Sequence, residues 1–292
     1  MNNAFSKEVL SSNSLFYAAE YELKYYKLVS GLPSCIIKKM EETNAIIAGG
    51  AITSIFSESP ISDYDVYFYT EKELEAFNEY LNKLVDGKED LDILDRDVMD
   101  SDFRCTKQCT SSNAWTYKVF WGNKTATIQV IMKCTCSTYC DENSSQNPYD
   151  PSLLLSTFDF TVCMGALDVK SKQFILYKDF LVHLCSRRLI YNTKVMTYPI
   201  CSLHRMLKYL KKGFSISGVE VIKICIAITQ LKLKTWQDFK EQLMGIDTQV
   251  FEPLTDALIE NHGESAPIDF GEILEAIDEY MKGHGYEGYE QG

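Results

Sequence analysis

Between Ala45 and Met132 the hydrophobic positions change period several times, and each change marks an element. Ala45–Ala48 is an apolar run stopped by Gly49-Gly50, and Ala51–Phe56 resumes as the start of a helix. Tyr64–Tyr69 alternates with period two, as a strand does, and Glu71–Val85 is a charged amphipathic helix. "DILDRDV" (Asp92–Val98) predicts another strand. "AWTYKVFWGNKTATIQVIM" (Ala114–Met132) predicts a hairpin turning at Gly122-Asn123. Upstream, residues 4–43 read as helices, with Leu32–Thr43 showing helical spacing. Downstream, Pro148–Ser156 predicts a short helix and Phe158–Asp168 a strand. From about Leu176 a period of 3.6 takes over, giving helices over Leu176–Tyr191, Ile200–Lys212, Gly218–Leu231, Trp236–Met244, Val250–Asn261 and Phe270–Lys282. The fold class is therefore α+β, a mixed-sheet head followed by an all-helical body. The expected division is N-terminal helices over 1–44, head over 45–170, helical body over 171–284 and a short tail over 285–292.

The length of 292 residues, 46% of them hydrophobic, allows a sizeable core and two sub-domains. The N-terminus has no basic stretch followed by an apolar one, and no apolar run reaches the roughly 18 residues of a spanning helix. Ten cysteines without an export signal point to a reducing compartment, the cytoplasm, or the host cytoplasm for a viral protein. A net charge of −12 excludes a protein that coats nucleic acid non-specifically. The charge is uneven: residues 168–223 hold eleven Lys/Arg and three acids, whereas from Gln237 onward there are fourteen acids and two lysines. The basic segment reads either as solvated helix faces or as a local cationic wall for a polyanion.

The candidate chemistry lies in "IIAGGAITSIFSESPISDYDVYFYT" (Ile46–Thr70). Strand alternation puts Asp63, Asp65 and Tyr67 on one face and Tyr64, Val66 and Phe68 on the other. Two carboxylates about 6–7 Å apart repel each other unless a cation compensates them. Mg²⁺ (or Mn²⁺) suits such a pair, taking few protein oxygens and the rest from water and substrate phosphates. The glycine turn supplies the complement. Without side chains, backbone N–H groups of Gly49 and Gly50 can approach a phosphate at the start of a helix, with Ser54 adding a hydroxyl. Together these describe a nucleoside triphosphate site for in-line displacement at the α-phosphate.

This stretch resembles the head-domain pattern of the DNA polymerase β-like nucleotidyltransferase superfamily, closest to the tRNA CCA-adding and bacterial poly(A) polymerase branch. That branch runs Gly-Gly-Ala-Val-Arg-Asp and then Asp-x-Asp, the first aspartate falling as far from the first glycine as Asp63 does from Gly49. "FDFTVCMGALD" is similar to its Arg-Arg-Asp-Phe-Thr segment through Asp159-Phe160-Thr161. "YKDFLVHLCSRRLIY" and "LHRMLKYLKKGFSIS" resemble the two helices that follow. The likeness covers roughly residues 45–217. It implies Asp63 and Asp65 as metal-holding catalytic residues, Asp159 as a further carboxylate, and Arg187, Arg188, Arg205 and Lys208 as contacts to nucleotide or acceptor. It also implies a nucleoside triphosphate partner and an RNA end or a protein as acceptor. The chain departs from the pattern in five places. Thr53-Ser54 replaces Arg-Asp, Thr157-Phe158 replaces Arg-Arg, Cys163 replaces the motif asparagine, no Glu-Asp-x-x-Arg motif appears near Pro199, and Gln129 stands where superfamily members carry a third acid. Glutamine coordinates weakly and cannot act as a base.

Three functional readings follow. The first is a nucleotidyltransferase moving NMP from an NTP to an acceptor hydroxyl of an RNA 3′ end, a small molecule or a protein. The second is a degenerate fold that binds a nucleotide or partner without turnover, and the third is a structural module of viral or phage type. Separately, Cys105, Cys109, Cys136 and Cys140 sit symmetrically about the hairpin turn. They allow a structural Zn²⁺ site or simply half-buried free thiols. His183 and His204 fall in basic helices, on solvated faces or near phosphate.

Overall fold

A computed structural model gives the fold and describes residues 5–6, 15–86, 103–110, 113–132, 134, 151–194, 198–243, 256 and 259–283. The expected strand at Asp92–Val98 lies outside these residues. The chain divides into two compact units, Met1–Val195 and Met196–Gly292.

The first unit is built on an eight-stranded sheet. Its strands are β1 (Phe5–Ser6), β2 (Ile46–Ala48), β3 (Tyr64–Tyr67), β4 (Arg104–Thr110), β5 (Ala114–Trp121), β6 (Lys124–Ile131), β7 (Gly165–Asp168) and β8 (Gln173–Tyr177). Their order across the sheet is β1-β8-β7-β2-β3-β6-β5-β4. Only β3 and β6 run parallel, with Asp65 opposite Gln129; the other neighbours are antiparallel. The sheet is mixed and the fold class is α+β, as the hydrophobic pattern predicts.

Helices α1 (Leu15–Val29), α2 (Ser34–Glu42), α3 (Gly50–Phe56) and α4 (Glu71–Asp86) accompany these strands. The alternation in β3, β5 and β6 is visible in burial: Tyr64, Val66, Tyr117, Val119, Ile128 and Val130 are buried and the residues between them are not. The buried face is tied to the helices. Phe68 packs on Phe77 with ring centroids 5.2 Å apart, Tyr64 donates to the Leu28 carbonyl at 3.1 Å, and the Tyr117 hydroxyl bonds Asn82 at 3.0 Å. Burial pushes the Tyr64 hydroxyl up to about 12, and raises that of Tyr117 as well, with Cys105 a lesser cause. On the opposite face, α5 (Pro151–Leu155) covers only part of the sheet, through Leu154 and Leu155 in the cluster with Ile46, Ala48 and Ala166.

The hairpin turns at Gly122-Asn123 as expected, with paired residues summing to 245 from Ala114↔Ile131 to Trp121↔Lys124. The ladder does not carry on to the cysteines as the symmetry argument required, because β4 folds back onto β5. Cys105 lies opposite Val119 and Cys109 opposite Thr116. The expected helix over Leu176–Tyr191 is replaced by β8, a short α6 (Phe180–Cys185) and β9 (Arg188–Leu189). The expected strand over Phe158–Asp168 is broken by a 3₁₀ turn at Thr161–Cys163, and only Gly165–Asp168 joins the sheet.

The second unit holds helices α7 (Pro199–Lys211), α8 (Gly218–Thr229), α9 (Trp236–Leu243) and α10 (Phe270–Gly283), close to their expected ranges. Ser217 caps α8 by accepting from the Glu220 N–H. Trp236, 2% exposed, stacks on His262 with centroids 5.1 Å apart and packs with Ile273. Among the described residues no helix is long and apolar enough to cross a membrane.

Candidate active site

The turn between β2 and α3 is where the backbone does something only glycine does easily. Gly49 has φ +76° and ψ −128°, and its N–H donates to the Gly165 carbonyl at 3.0 Å. A Cβ at Gly49 would stand 3.4 Å from the Phe158 ring and 3.6 Å from Asp65 Oδ2. The aspartate carboxylate therefore lies directly over the glycine turn. A Cβ at Gly50 would meet nothing within 4 Å, so the space above the first residue of α3 is open. Thr53 anchors the turn from behind. Its hydroxyl, buried, donates to the Val162 carbonyl at 2.6 Å and approaches the Gly49 carbonyl at 3.2 Å.

Asp65 stands between two neighbours in the sheet, Ala48 on β2 and Gln129 on β6, and Gln129 pairs in turn with Thr116 on β5. The expected position for Gln129 beside the acids is thus met in register. Asp63 precedes β3, is half-buried and accepts a hydrogen bond from Ser62 Oγ. Asp65 lies on the face opposite the buried Tyr64 and Val66, and Asp63 enters from the residue just before the strand.

The other expected site residues fall as follows. Ser54 is 2% exposed, inside the protein rather than at the open turn. Asp159 is 7% exposed, and its carbonyl accepts from the Asn192 N–H at 2.7 Å. Asn192 also donates through its side chain to the carbonyls of Ser156 and Phe158, fixing the segment that carries Phe158 to the glycine turn. Thr161 Oγ1 and His183 Nδ1 lie 2.8 Å apart, so His183 holds this segment instead of sitting on a solvated face. Arg187 is exposed at the end of α6 with φ +49°, and Arg188 is exposed on β9; neither is on the helix expected for them. Arg205 and Lys208 lie on α7 of the second unit, half-buried and exposed respectively. Phe158 is the neighbour that sequence reasoning missed. The signal was present in the aromatic that replaces an arginine before Asp159.

Hard oxygen donors suit Mg²⁺ or Mn²⁺, and the residues that could supply them are Asp65, Gln129 opposite it and Asp63 just before the strand, next to the glycine turn. Among the described residues no three His, Cys, Asp or Glu side chains converge on a common point. Of the four cysteines considered for zinc, Cys136 and Cys140 lie outside the described residues. Cys105 is buried, and burial pushes its thiol up to about 12, with repulsion from Cys35 adding to it.

The model of the Gabija anti-defense 2 family matches residues 22–187. The chain belongs to that family. A curated relative, Gabija anti-defense 2 of Bacillus phage SPbetaL7, is 31% identical over 226 residues, covering 77% of this chain and 48% of its own length. The chain thus spans about half the length of the curated relative it matches. Solved structures similar to the chain include CCA-adding enzymes. The Thermotoga maritima CCA-adding enzyme complexed with tRNA matches at TM-score 0.42 and 15% identity, over 77% of this chain and 48% of that one. An apo CCA-adding enzyme matches at TM-score 0.47 and 12% identity, over 84% and 55%.

Proposed function

We propose that the chain is a nucleotidyltransferase, moving NMP from an NTP to an acceptor hydroxyl with release of pyrophosphate. The observation that carries this is the Asp65 carboxylate lying over a positive-φ glycine turn whose next residue faces open space. In this reading Gly50 presents its backbone N–H to the triphosphate, the expected Gly49 N–H being already donated to the Gly165 carbonyl, and Asp63 and Asp65 hold a divalent cation. When bound, the cation would neutralise charge building on the phosphate and leaving oxygens. The protein's own work is positional. Thr53 fixes the turn to the 3₁₀ segment, Phe158 closes one side of it, and Gln129 would hold a water next to Asp65. Arg187 and Arg188, both in the first unit, would bind the nucleotide or acceptor through phosphates. The name of the phage relative supports a counter-defence setting for this reading, in which the acceptor is an RNA end, a small molecule or a protein.

A second reading has a specific observation behind it. Gln129 occupies the register position beside Asp65 where a third carboxylate would stand, which favours nucleotide binding without turnover. Incubation with each α-labelled NTP, Mg²⁺ or Mn²⁺, and pools of RNA and host protein separates the two. Label transfer that disappears with Asp63→Ala plus Asp65→Ala supports the enzyme. Metal-dependent NTP binding with no transfer and no pyrophosphate supports the binding reading.

A further inference from the structure

The uncovered face of the sheet does not end at the aspartates. Strand parity carries it from the Asp65–Gln129 row outward over β6, β5 and β4. The next row holds Lys118, and the row after that holds Phe120 directly opposite Arg104. Successive rows are about 7 Å apart along a strand and neighbouring strands about 4.8 Å apart, so Phe120, two rows along and two strands across, sits about 17 Å from Asp65. The Phe120 ring is half-exposed, with two cations placed over it. The Arg104 guanidinium lies 4.5 Å from its centroid and Lys118 Nζ 5.5 Å. Among the described residues, neither cation is paired with a carboxylate.

A second observation is independent of this geometry. In a chain with 41 acidic residues, Phe103–Met132 contains four Lys/Arg and not one Asp or Glu. Surface strands in so acidic a protein would ordinarily share its acids. Their exclusion here leaves one wing of the sheet cationic while the chain as a whole stays at −12. An aromatic ring covered only by cations without carboxylate partners is suited to a base that takes their place over the ring while they swing to the phosphates on either side. A duplex buries its base faces and could not use the ring.

We propose that the open face of β4–β5–β6 docks a single-stranded nucleic acid, with Phe120 stacking a base and Arg104 and Lys118 holding the flanking phosphates. That the strand leads its end toward Asp63 and Asp65 as acceptor rests on the transferase reading above; the docking itself does not.

The test is binding by the full chain without NTP or divalent metal, so that it stands or falls apart from catalysis. The probe is a fluorescein-labelled mixed-sequence strand, made once as RNA and once as DNA, with a blunt duplex of the same sequence as comparison. Fluorescence anisotropy should show either single strand binding more tightly than the duplex, and the tighter of the two names the sugar. Phe120→Ala should weaken binding about tenfold. Arg104→Ala with Lys118→Ala should reduce the slope of log K against log salt by about 1.4. Lys124→Gln removes a cation from the opposite face of the same hairpin and should leave affinity and slope unchanged. If Phe120→Ala fails to fold, Phe120→Leu keeps apolar bulk without the ring and should show the same loss. Absence of single-strand binding, equal binding of duplex, wild-type affinity in the folded Phe120 variant, or an equal loss with Lys124→Gln would each overturn the proposal.

Discussion

The two faces of β3, β6 and β5 are made from alternate residues of the same segments, yet they answer to different demands. One face holds Tyr64, Val66, Tyr117, Val119, Ile128 and Val130, all buried, with their polar atoms satisfied by helices behind the sheet. The other holds Asp65, Gln129, Thr116 and Lys118, all partly exposed. A strand offers no way to move a residue between faces except by slipping register, which would bury the acids and expose the core together. The buried face therefore protects the open one. It fixes register so firmly that side chains costly to stability are held where a ligand could use them. Changes on the open face should alter binding and turnover with little effect on folding, and changes on the buried face should do the reverse.

The largest expected effect is on the open face. Asp65→Asn should lower label transfer by about 10³ or more, the several kcal/mol that a held cation supplies, while the thermal midpoint stays near that of the unaltered chain. Steady-state transfer and a melting curve on the same sample check both halves. Its counterpart on the buried side is Phe68→Ala, which empties the contact with Phe77. It should cost about 3–5 kcal/mol in urea unfolding, with transfer per folded molecule retained.

Gly49→Ala tests the boundary between the faces. A side chain at φ +76° should cost about 1–3 kcal/mol in backbone strain, while its Cβ would only touch Phe158 and Asp65, so stability should fall and NTP affinity should fall only as far as the turn shifts. Next comes pH. Tyr64 and Cys105 bind their protons more tightly folded than unfolded, since burial raises both to about 12. Between the unfolded values, near 9–10, and about 12, the unfolded chain binds fewer protons. Stability should then fall with rising pH, by up to about 1.4 kcal/mol per pH unit for each group. Below pH about 9 these groups should contribute no slope, and Tyr64→Phe should flatten the alkaline limb. Urea titrations from pH 7 to 11 measure this. The smallest effect expected is from Gln129→Glu, which restores a carboxylate beside Asp65. Mn²⁺ affinity should rise severalfold with little change in the melting midpoint.

How far the sequence disclosed this division depended on whether the signal was local. The alternation over Asp63–Phe68 and the Gly-Asn hairpin rest on neighbouring residues, and both faces could be assigned from them. The same reasoning failed over Leu176–Tyr191. There Phe174, Ile175 and Leu176 are all buried, and a short apolar run does not tell a strand with both faces covered from a helix. β4 was missed because Arg104–Thr110 is mostly polar, one face being open and no strand pairing beyond it among the described residues. Of the site, Gly49, Asp65 and Gln129 were legible because spacing and parity place them. Phe158 beside Gly49, and the burial of Ser54, depend on contacts across a hundred residues that no periodicity encodes.

The central claim is that Asp63 and Asp65 share a dication beside a turn shaped for polyphosphate. Calorimetric titration of Mn²⁺ with a non-hydrolysable NTP analogue present, into the unaltered chain and into Asp65→Asn, tests it most directly. The account predicts metal-dependent binding of the analogue that the substitution abolishes while the fold persists. Binding of equal strength in both proteins, or none in the unaltered chain, would contradict it.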